Sequence, residues 1–109
     1  MTEHVTQPEL NAALDRLWAQ FLPEIEQRVA TLQSASSALA GGELKDDLRD
    51  AAHTAAHKLA GVLGTFGLTR GTILAREAEM LFSGDADPAS AAQLTTIAAQ
   101  LMALIAGRK

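Results

Sequence analysis

The chain has 109 residues, room for one domain spanning 1–109 and too few for two of ordinary size. It contains no cysteine, which excludes a disulfide framework and a thiolate metal site and fits a reducing compartment. Thirteen acidic against nine basic residues give a net charge of −4, and aromatic residues make up 4% of the chain; with its basic residues scattered and few rings for stacking bases, it lacks the footprint of a nucleic-acid-binding protein.

The first residues, Met1-Thr2-Glu3-His4, lack the basic and apolar regions of a signal peptide. No apolar run is expected to approach the roughly 20 residues that span a bilayer. A soluble cytoplasmic monomer is therefore the expectation. Alanine and leucine dominate, tyrosine is absent and β-branched residues are sparse, a composition that favours helix.

In chain order, Thr6 or Gln7 before Pro8 starts a first helix, since proline suits the first helical turn. Leu10, Leu14, Leu17 with Trp18, and Phe21 then recur at three and four residues as an apolar stripe. Pro23 either kinks one long helix or separates two, and Ile25, Val29, Leu32 and Leu39 continue the pattern. Gly41-Gly42 stops it. A further helix is expected from about Glu43 to Leu63, and another from about Thr69 to Phe82, with Ser83-Gly84-Asp85 as the next break. Asp87-Pro88 supplies an N-cap and a first-turn proline for a last helix through about Ala106, whose Leu94, Ile97, Leu101 and Ile105 should pack in the core. Leu22, Met80 and Phe82 are expected near the core's edge. No strand-like alternation is visible. Short connections between amphipathic helices imply an all-α, antiparallel four-helix bundle with an additional N-terminal helical segment.

The informative helix is the one from Glu43 onward. At about 100° per residue, Leu44, Leu48, Ala52, Ala55, Leu59, Val62 and Phe66 share a sector of roughly 80° that must face the core. His57 lies about 175° from the centre of that sector and points to solvent. Asp46, Asp50, His53, Gly61 and Gly64 share its strip. A glycine inside a helix costs about 1 kcal/mol relative to alanine, so two beside one exposed imidazole call for a reason. Close access of another protein's surface is one. Ending the helix is the other, and it suffices for Gly67. His4 and His53 read as ordinary solvated residues, His53 bordering the same surface.

The run Ala56-His57-Lys58-Leu59-Ala60-Gly61-Val62-Leu63-Gly64-Thr65-Phe66-Gly67-Leu68 closely resembles the active helix of histidine phosphotransfer domains, among them that of the chemotaxis histidine kinase. The likeness extends more loosely through Leu74-Ala75-Arg76-Glu77-Ala78-Glu79. It implies that His57 is phosphorylated: a neutral imidazole nitrogen attacks an aspartyl phosphate and later surrenders the phosphoryl group to another aspartate. Positioning and charge neutralisation dominate such transfer. By the same resemblance the magnesium ion belongs to the partner, a response-regulator receiver domain, alongside a hybrid histidine kinase as a second partner. No cofactor is implied, and no glycine-rich nucleotide loop marks the chain as a kinase.

The family commonly has a lysine three residues after the histidine, where this chain has Ala60. The resemblance makes Lys58, about 100° round the helix on a flexible stem, the substitute, although by itself it reads equally well as a solvated lysine. It also implies a carboxylate on the following helix that holds the other ring nitrogen. Glu79 aligns without gaps, whereas periodicity admits Glu77 as well. Ala60, Gly61 and Gly64 would lie beneath the docked partner. Two rival readings remain. His53 and His57, spaced i, i+4 with Asp50 nearby, suit a metal site, but lack the glutamate of a zinc peptidase. A non-catalytic helical adaptor would share most of these features.

Overall fold

A computed structural model describes residues 6–84 and 87–108. Among them it holds four α-helices and no strand: α1 Gln7–Ala40, α2 Asp46–Thr65, α3 Thr69–Ser83 and α4 Ala91–Gly107, the last entered through a 3₁₀ turn at Pro88–Ser90. Asp85, expected in a break, and His4, expected in solvent, lie outside the described residues.

Local chemistry sets the helix ends. The Thr6 hydroxyl accepts the Glu9 amide at 3.2 Å, and Pro8 follows in the first turn. Both expected glycine stops work through a left-handed residue, Gly42 at φ 73° and Gly67 at φ 75°. In each case the glycine's own amide and the one after it turn back onto the helix: Gly42 N–H to Leu39 O and Glu43 N–H to Ala38 O, then Gly67 N–H to Gly64 O and Leu68 N–H to Leu63 O. This pairing satisfies carbonyls that would otherwise be orphaned. Asp87 caps the 3₁₀ turn, accepting the Ser90 amide at 3.2 Å.

At Pro23 the structure has one helix, not two. The additional N-terminal segment is the first half of α1. Proline removes the hydrogen bond to the carbonyl four residues back, but both Pro23 and Ala19 are exposed, so water reaches that carbonyl. Leu10, Leu17 and Phe21 on this half stay exposed, while Trp18 is buried. Trp18 meets Phe66 edge to face at 5.2 Å between ring centroids. The Arg108 guanidinium lies 4.9 Å from the Trp18 ring centre and 5.2 Å from that of Phe66, with Asp15 at 3.3 Å. The end of α4 is thereby tied to α1.

α1 packs on α2 and α4, and α3 on the same two helices. The core is mainly aliphatic, built on Ile25, Val29 and Leu32 from α1, Leu59 and Leu63 from α2, Leu74 from α3, and Leu94 and Leu101 from α4, with Phe82 of α3 the large aromatic ring among them. Each such side chain contributes about 1.5–3 kcal/mol on burial. Phe82, expected at the core's edge, is fully enclosed. The buried face of α2 is wider than its stripe suggests. Leu44, Leu48 and Val62 are only half-buried, whereas Ala56, Ala60 and Leu63 are buried as well. The reason is that α2 has two neighbours, and its second contact face is the one turned to α3.

Pro88–Gly107, at mean hydropathy 1.4, is long and apolar enough to pass for a membrane span by length and composition. This corrects the expectation that no run comes near that length. Its stripe of Ala91, Leu94, Ile97, Ala98, Leu101 and Ile105 is buried against the other helices.

Candidate functional site

The site forms between α2 and α3, the two helices with the most extensive contact. Gly71 on α3 sits against Leu63 of α2 so tightly that a Cβ there would come within 2.9 Å of the leucine Cδ1. From the next residue, the Thr72 hydroxyl donates to the Ala60 carbonyl at 2.9 Å and lies 3.2 Å from where a Cβ on Gly64 would be. Small residues on both helices therefore let the backbones approach. Glu79 stands two turns beyond Thr72 on nearly the same face of α3, and this approach brings its carboxylate across to α2.

There, Glu79 Oε2 lies 2.9 Å from His57 Nδ1. An ionised carboxylate only accepts hydrogen bonds, so in the neutral ring Nδ1 carries the proton and Nε2 keeps its lone pair. The His57 side chain is 72% exposed and that of Glu79 is 25% exposed. An imidazole standing in solvent, anchored by one nitrogen to a half-buried carboxylate, presents the other nitrogen in a fixed direction. Glu79 is the acid at His57; Glu77 is exposed. His53, Thr54, His57, Lys58 and Glu79 line an open groove of about 310 Å³. Lys58, exposed at its rim, also borders a second groove with Arg28 and Asp50.

The residues expected beneath a partner divide. Gly61 is exposed, and a Cβ built on it meets nothing within 4 Å, so the fold does not require its bareness. Gly64 is exposed too, yet its bareness also accommodates Thr72. Ala60 is 6% exposed and faces α3, so it is corrected from a partner contact to a core position.

His53 was expected in plain solvent. Instead its side chain is 38% exposed and its Nε2 lies 3.8 Å from the same Glu79 oxygen that holds His57. The sequence signal was its i, i+4 spacing from His57, but the third member comes from another helix. Among the described residues no cluster of three or more His, Asp or Glu has a metal-holding arrangement.

No curated protein and no solved structure is significantly similar to the chain. A family model, that of the Hpt domain, matches residues 16–107. The match takes in all of α2, α3 and α4 and most of α1, and the chain therefore belongs to the Hpt domain family, whose general activity is histidine phosphotransfer in phosphorelays.

Proposed function

We propose that this protein is a phosphorelay carrier that takes a phosphoryl group on Nε2 of His57 and exchanges it with an aspartate of a response-regulator receiver domain. The observation that carries this reading is the Glu79–His57 hydrogen bond, 2.9 Å at Nδ1, on a ring that is otherwise in solvent. The Nε2 lone pair attacks the phosphorus of the aspartyl phosphate, the P–O bond breaks, and the aspartate leaves as carboxylate. The ring then carries phosphorus on Nε2 and a proton on Nδ1, and Glu79 stabilises the resulting positive charge. Reversal returns the phosphoryl group to a carboxylate. Lys58, at the rim of the groove, meets the phosphoryl oxygens. Gly61 and Gly64 lie beneath the partner. A receiver supplies its own metal and acid chemistry, so the carrier needs only an oriented nucleophile and clearance.

The same reading takes 1–109 as one domain, a cytoplasmic monomer folded as an antiparallel bundle. The short α2–α3 connection and the mutual packing of the four helices support that course. A hybrid kinase is the second partner in this proposal.

The test is transfer from a phosphorylated receiver domain. Wild-type protein should take up acid-labile, base-stable phosphate, and His57→Gln should take up none. Labelling that persists in the variant would place the site elsewhere, and docking without labelling of the wild type would favour an adaptor.

A further inference from the structure

We propose that His53 is a positioning residue for His57, acting through the carboxylate that the two imidazoles share. The inference rests on the phosphotransfer reading for its effect on rate, but not for its geometry.

Glu79 Oε2 has two lone pairs, and one is used by His57 Nδ1 at 2.9 Å. His53 Nε2 is 3.8 Å from the same atom, beyond a hydrogen bond by a few tenths of an ångström. A small rotation of either half-buried side chain closes the gap. With its proton on Nε2, His53 is then a second donor to Oε2 and holds the carboxylate over α2. Among the described residues no other hydrogen bond or ion pair is made to that oxygen. From α3, Glu79 itself is the charged group in the groove. From α1, the nearby cation is Arg28, which borders the adjoining groove and is bonded to Glu24 at 3.0 Å. On α2, Arg49 pairs with Asp46 at 3.2 Å, and Lys58 stands at the groove's rim.

The consequence concerns tautomer and aim. A carboxylate on a flexible glutamate loses its hold on Nδ1 when its other rotamers are free, and each loss lets His57 place its proton on Nε2, the nitrogen that must be bare to attack. Tethering Glu79 from the next turn of α2 removes those rotamers. His53 thus touches no reacting atom, yet raises the fraction of His57 rings that are ready.

Three variants test this: His53→Ala removes the donor, His53→Gln carries an amide nitrogen to about the position of Nε2, and Glu79→Ala removes the shared acceptor. Single-turnover transfer at saturating receiver should slow about threefold in His53→Ala, with receiver affinity unchanged, and recover in His53→Gln. In a Glu79→Ala background, His53→Ala should have no further effect. Nitrogen-15 shifts of the His57 ring at neutral pH should show more Nε2–H tautomer in His53→Ala than in wild type or His53→Gln. An unchanged tautomer in His53→Ala, a His53→Gln as slow as His53→Ala, or a slowing that persists without Glu79 would each overturn the proposal. The ring shifts require no phosphorylation, so they decide the role of His53 even if the wild type proves unable to accept phosphate.

Discussion

Gly61 and Gly71 lie on facing helices, and the same residue type serves opposite ends at the two positions. At Gly71 an added methyl group would collide with Leu63, a fully buried side chain with no room to retreat. At Gly61 the same methyl would point into open space. One glycine is required by packing inside the molecule and brings Glu79 within reach of His57. The other answers to nothing inside the molecule, and in the proposed function its helix cost of about 1 kcal/mol is offset by the clearance it gives a docked receiver. A bare position in a helix is thus evidence for an external partner only after internal neighbours have been ruled out. Gly64 does not meet that condition, since it is exposed but also pressed by Thr72.

The comparison can be broken most decisively at the residue both glycines serve. His57→Gln should reduce phosphoryl uptake to background while leaving the thermal transition in place, because an exposed ring contributes little packing. Next in size, Gly71→Val should destabilise by about 2–3 kcal/mol, lowering the melting temperature by about 10 °C in calorimetry. A variant as stable as wild type would show that α3 can move off Leu63 freely. Removing the carboxylate in Glu79→Ala should slow single-turnover transfer about tenfold with little change in stability. Gly61→Ala separates the two roles most sharply. It should raise stability by about 0.5–1 kcal/mol in urea unfolding and at the same time weaken receiver docking or slow transfer. Full transfer by that variant would mean the open space is not used. Smallest, Lys58→Ala should slow transfer about threefold, the scale of one exposed charged contact.

Much of this was legible beforehand because helices advertise themselves. The breakers at Pro8, Gly41-Gly42, Gly67 and Asp87-Pro88 act through local backbone chemistry, and the outward direction of His57 follows from the helical period alone. Less legible was whatever depends on a second helix. The stripe on α2 indicated one buried face, but Ala60 and Leu63 are covered by α3, so a position expected beneath a partner belongs to the core. Phe82 read as peripheral and is enclosed for the same reason. Periodicity left Glu77 and Glu79 equal, and the hydrogen bond at 2.9 Å separates them.

The sequence by itself determined most of the breaks between helices, though α2 begins at Asp46 rather than about Glu43 and α4 at Ala91 after a 3₁₀ turn. It determined as well that the helices are amphipathic and that one imidazole stands outside the stripe, since these are set by residues within a few positions of one another. The tertiary structure decided that α1 runs unbroken through Pro23, because solvent on that face meets the freed carbonyl. It also decided which acid meets His57 and that His53 shares it, because those distances depend on how closely α3 settles on α2. That closeness is a matter of side-chain volume between two segments, which no reading of either segment alone contains.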